Sequence, residues 1–84
     1  MPPRTSTDPA ATAFGRAVRE AREARNLSLD AVARDVPRMD AAYLAAIERG
    51  AHAVTLPTAV RIARGLKMPL SELVEGLDEF AETA

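Results

Sequence analysis

No cysteine occurs among the 84 residues, and histidine occurs once, as His52. The first absence removes disulfides and thiolate metal sites as supplements to the core and is in keeping with a reducing, cytoplasmic compartment. With one histidine, no metal-ligand spacing and no phosphate-cradling glycine loop, the chain carries none of the usual chemistry of an enzyme. No catalysis, metal or cofactor is therefore expected. No stretch approaches the ~18 apolar residues of a membrane span, and the N-terminus has no charged segment followed by an apolar run. The expectation is a soluble protein with no membrane partner. Alternating strand patterns are also missing, and the alanine-rich composition favours helices.

What is present fits one small domain with a single modest core. Eleven basic and twelve acidic side chains give a net charge of −1, but they are unevenly placed. Glu72, Glu75, Asp78, Glu79 and Glu82 follow Leu70 with no basic residue among them, leaving residues 1–70 with eleven basic and seven acidic groups. A mildly basic body with an acidic tail is compatible with a polyanionic partner.

The organisation expected is a flexible N-terminal arm over 1–11, a helical domain over 12–77 and an acidic C-terminal tail over 78–84. Asp8-Pro9 and Thr12 are both suitable helix starts. Phe14, Val18 and Ala21 share an inward face of a first helix running to about Arg25, where Asn26 can take the left-handed conformation that ends it. Ser28 reads as the N-cap of a second helix, Leu29–Val36, with Val32, Ala33 and Val36 inward and Pro37 as its stop. Asp40 caps a third helix to about Arg49, with Leu44 and Ile47 inward and Gly50 after it. Thr55 caps a fourth, with Pro57 in its first turn and Val60, Ala63 and Leu66 at helical spacing. A fifth helix carries Leu70, Leu73, Val74 and Leu77.

Several short signals occur in a fixed order: Arg-Asn-Leu-Ser at 25–28, Val32-Ala33, Tyr43-Leu44, Ile47-Glu48-Arg49-Gly50, Ile62-Ala63 and Leu70-Ser71-Glu72-Leu73. Together they resemble the phage-repressor-like helix-turn-helix family, the Xre or Cro/C1 type, over roughly Phe14 to Leu77. The resemblance implies an all-α, five-helix, lambda-repressor-like domain that binds double-stranded DNA and regulates transcription. It further implies that Arg22 pairs with Glu48 as a brace of the fold. In such a unit the third helix enters the major groove while the second crosses the phosphate backbone. By correspondence, Ala41, Ala42 and Ala46 face the bases, and Asp40 and Tyr43 lie nearer the backbone. The start of the second helix at Ser28, together with Arg34, Arg38 and Arg49, supplies candidate phosphate contacts.

The base-facing positions are usually polar or basic in this family, and here they are alanine. Alanine cannot make the bidentate base contacts that discriminate by about 1–3 kcal/mol each. Direct readout is therefore expected to be weak. Pro37-Arg38 replaces the usual turn glycine with one extra residue, and Leu29 stands where glutamine often faces phosphate. Leu73, Leu77 and Phe80 form a candidate homodimer element. The alternative function is a helix-turn-helix scaffold whose smooth third helix receives a protein partner.

Overall fold

The computed structural model describes residues 8–80, so the expected arm, apart from its last four residues, and the final four residues of the tail lie outside the described residues. Five α-helices are present: α1 Pro9–Ala24, α2 Leu29–Arg34, α3 Ala41–Glu48, α4 Leu56–Gly65 and α5 Leu70–Leu73. A 3-10 turn follows at Leu77–Phe80, and there is no strand among the described residues.

Each helix begins and ends for a local reason. The Asp8 carboxylate accepts the Ala10 N–H at 2.8 Å, and Pro9 occupies the first turn of α1, where its missing N–H costs nothing. The helix thus starts three residues before Thr12. Asn26 has φ +56, Gly50 +79 and Lys67 +62, and each lies just past the C-terminus of a helix. Behind them the N–H groups of Leu27, Ala51 and Met68 reach back to Arg22, Ala46 and Ala63, closing α1, α3 and α4 with the same paired-carbonyl motif.

Two elements are shorter than the sequence suggests. Helix α2 ends at Arg34, because Asp35 and Val36 donate to Val32 and Ala33, three residues back. This tightens the last turn ahead of Pro37 while leaving Val36 buried. Helix α5 has only four residues, and Gly76 at φ +84 separates it from the 3-10 turn carrying Leu77.

The core is one cluster in which Val18, Val32, Leu44, Ile47, Ile62 and Leu66 are fully buried, with Phe14 and Leu73 nearly so. Burial of side chains this size contributes about 1.5–3 kcal/mol each. On α4 the inward set is Ala59, Ile62, Ala63 and Leu66, whereas Val60, expected inward, is exposed. Val60 follows Ala59 by one residue, a rotation of about 100° on the helix, and so falls off the buried stripe.

Helix α1 packs across α3, α2 lies against α3 and α4, and α5 packs on α4 and α1. The α1–α3 crossing is set by a residue with no side chain. A Cβ built on Gly15 would lie 2.1 Å from the carbonyl oxygen of Ile47 and 2.9 Å from that of Glu48. Only glycine allows the two backbones to approach this closely. The end of α4 also lies close to α2 and the turn after it, though less tightly, since a Cβ on Gly65 would lie 3.1 Å from Val36 Cγ2 and 3.3 Å from the Val32 carbonyl oxygen.

Candidate nucleic-acid interface

Helix α3 is built from its cap outward. Asp40 takes an extended backbone, and its carboxylate accepts the Tyr43 N–H at 2.8 Å, so one of its oxygens is occupied at the helix start. The same device starts α2, where Ser28 Oγ accepts the Ala31 N–H at 3.0 Å. Between them lies the turn of Pro37, Arg38 and Met39. Arg38 sits at φ +61, and Met39 packs against the core and donates to the Val36 carbonyl at 3.2 Å. The turn thus passes through a left-handed arginine whose side chain is in solvent.

Only part of the expected reading edge is open. Ala42 and Tyr43 are exposed and Ala41 is half-buried, but Ala46 is 8% exposed and belongs to the buried side of the helix. Ala46 is therefore withdrawn from the base-facing set. It lies one turn beyond Tyr43, and its carbonyl accepts the N–H of Ala51 from the loop that folds back over the end of α3. Helical spacing alone could not reveal that Ala46 is covered in the folded chain. The same burial shrinks the smooth alanine surface on which a protein-recognition scaffold would depend.

Around this edge Arg34, Arg38 and Arg49 are exposed, and none has an ion-pair partner among the described residues. Tyr43 and His52 bring their rings to 5.2 Å between centroids at a 32° tilt. This joins the outer face of α3 to the loop after it. Pairs in this range contribute about 0.5–1.5 kcal/mol.

Behind the edge, Arg22 of α1 holds Glu48 of α3. Its Nε donates to Oε2 at 2.7 Å and its Nη2 to Oε1 at 3.1 Å, while Nη1 donates to the Leu27 carbonyl at 2.9 Å. The two side chains are 14% and 7% exposed. The hydrogen bond to Glu48 raises the Arg22 pKa, with burial opposing it. From the arginine side, this stabilisation is complete below arginine's ordinary value and is lost only as pH rises through the raised one. Neutral solution leaves it intact. One guanidinium thus ties α1, the approach to α2 and the end of α3 together.

The residues expected to pair two copies fare differently from one another. Leu73 is 3% exposed and belongs to the core of its own chain, which removes it from the dimer element. It faces inward because α5 packs on both α1 and α4. Leu77 is half-buried against that core, and Phe80 remains 37% exposed. Two apolar residues outside the expected dimer element are also open: Leu56, 69% exposed, and Val60 one turn later on α4. No group of three or more His, Cys, Asp or Glu side chains is arranged to hold a metal among the described residues. No helix among them is long and apolar enough to cross a membrane.

Residues 13–75 match the family model described as a helix-turn-helix domain. Among solved structures, the restriction-modification controller protein C.AhdI from Aeromonas hydrophila is 32% identical, with a TM-score of 0.69 over 75% of this chain and 94% of its own. The DNA-binding domain of BldD from S. venezulae is 31% identical, with a TM-score of 0.67 over 76% of this chain and 94% of that one. The clp gene regulator ClgR from C. glutamicum, at 20% identity, shares the fold, with a TM-score of 0.76 over 89% and 96% of the two chains. No curated protein matches significantly. The capped helix pair, its tight turn and these likenesses agree, and the chain belongs to the helix-turn-helix domain family in its phage-repressor-like form.

Proposed function

We propose that this protein is a DNA-binding transcriptional regulator that lays the exposed start of α3 in the major groove and is held there chiefly through phosphate contacts. The observation that carries this reading is the set of exposed cations, Arg34, Arg38 and Arg49, without ion-pair partners among the described residues, on segments that flank an outer α3 edge made of Ala41, Ala42 and Tyr43. The likeness to the BldD DNA-binding domain supports it. The start of α2 at Ser28 contributes backbone N–H groups toward a phosphate, and Asp40 serves mainly to cap α3. With methyl groups at the groove, base selection rests on thymine methyl contacts and on duplex shape.

The regulator works in this reading as a homodimer, since one short helix spans too few base pairs for useful affinity. A symmetric pair would present its two recognition helices to successive major grooves, about 34 Å apart, one turn of the duplex. Phe80 and the exposed Leu56 and Val60 are the apolar residues available to join them.

The deciding experiment is binding to mixed genomic duplexes across a salt series. The logarithm of affinity should fall linearly with the logarithm of salt, by about 0.9 per neutralised phosphate, and Arg38→Ala should lower that slope by about one contact. No association in dilute salt would overturn the reading. Light scattering of Phe80→Asp beside the parent chain tests the dimer.

A further inference from the structure

Away from α3, the end of α2 and the outer side of α4 enclose a cleft of about 480 Å³ lined by Asp35, Pro37, Arg61, Arg64 and Lys67. None of the residues assigned above to DNA lines it. We infer that this cleft binds a small molecule bearing a phosphate or pyrophosphate group.

Charge, geometry and rigidity converge on that chemistry. Three cations face one carboxylate, and the carboxylate is poorly engaged. Lys67 Nζ lies 3.9 Å from Asp35, with the two side chains 75% and 54% exposed, a pair that contributes little. Neither Arg61 nor Arg64 has an ion-pair partner among the described residues. Arg61 and Arg64 stand three apart on one side of α4, and Lys67, the left-handed residue past its cap, lines the same cleft. Like charges held together in this way repel one another, and a dianion relieves that repulsion. Guanidinium groups suit the task because their planar forks bind phosphate oxygens in pairs. The volume falls in the range of ligand sites, about 300–1,000 Å³. The segments that carry the lining residues are tied together beside the cleft, because Gly65 of α4 is seated directly against Val32 and Val36.

The test is titration of the whole chain with pyrophosphate by calorimetry, with a nucleoside diphosphate in parallel to separate bare from nucleoside-linked phosphate. Saturable binding is expected, weakened about tenfold or more by either Arg61→Ala or Arg64→Ala. Lys67→Gly separates binding from folding. It removes a cation but places glycine at φ +62, so the variant should melt at a higher temperature and still bind more weakly. Arg16→Ala removes an equal charge from the exposed surface of α1 and should leave the affinity within about twofold. Equal weakening by Arg16→Ala, or no saturation at millimolar pyrophosphate, would overturn the inference. So would displacement of pyrophosphate by short duplex DNA, which would make the cleft a backbone contact instead.

Discussion

On the inner side of α3, Leu44 and Ile47 are fully buried, Ala46 nearly so, and the carbonyls of Ile47 and Glu48 receive Gly15 of α1 at a distance no other residue allows. On the outer side, one turn or less away, Ala42 and Tyr43 are exposed, and the Tyr43 ring lies against that of His52. The contrast shows two kinds of demand on eight residues. The inner side is specified by shape, where a single added carbon is felt, and it aims the helix. The outer side is almost free of functional groups, so whatever holds a duplex must come from the arginines around it. Aiming and reading are thus separate properties of this helix, and changes can be chosen that strike one and spare the other.

The largest effect expected is on the aiming side. Gly15→Ala puts a methyl group into the α3 carbonyls, and α1 must move away. A loss of about 3 kcal/mol or more is expected in urea denaturation, enough to unfold a domain of this size at moderate temperature. Next is the brace. Arg22→Ala leaves Glu48 buried without its partner and should cost about 3 kcal/mol. The double change Arg22→Met with Glu48→Leu should be less damaging than either single change, because no charge is left stranded. On the reading side, Ala42→Glu should leave urea stability close to that of the parent while weakening duplex binding about tenfold, roughly 1.4 kcal/mol, through repulsion from phosphate. Unchanged binding would show that Ala42 does not face DNA. The smallest effect belongs to neither side. Asn26→Gly, at the left-handed residue that ends α1, should raise stability by no more than about 0.5 kcal/mol, since asparagine already tolerates φ +56.

How much of this was readable beforehand varied with the range of the interaction. Ser28, Asp40 and Thr55 cap their helices, and Asn26 and Gly50 close theirs in the left-handed region, as the residue types suggest. Such signals act within four residues and are written into the chain. Residues whose role depends on a distant partner were less legible. Gly15 looks like a weak point in a helix until α3 is laid across it. Val60 and Ala59 are equally apolar neighbours on α4, yet only Ala59 turns inward. Leu73 and Phe80 carry similar apolar character near the C-terminus, and α5 and the 3-10 turn both pack on α1, yet only Leu73 is enclosed while Phe80, beyond Gly76, stays exposed. The edge facing DNA was partly legible: alanine at 41 and 42 announces weak base readout, but nothing local shows that Ala46 is covered.

The amino-acid order by itself settled the all-helical class, the punctuation of the helices, the family resemblance and the poverty of hydrogen-bonding groups on α3, because propensity, capping and side-chain chemistry are properties of short segments. Tertiary structure alone decided which alanine is exposed, which leucine belongs to the core, why residue 15 has to be glycine and where Arg61, Arg64 and Lys67 face Asp35. Those outcomes depend on helices far apart in the chain excluding one another's volume, and no local pattern encodes a distance.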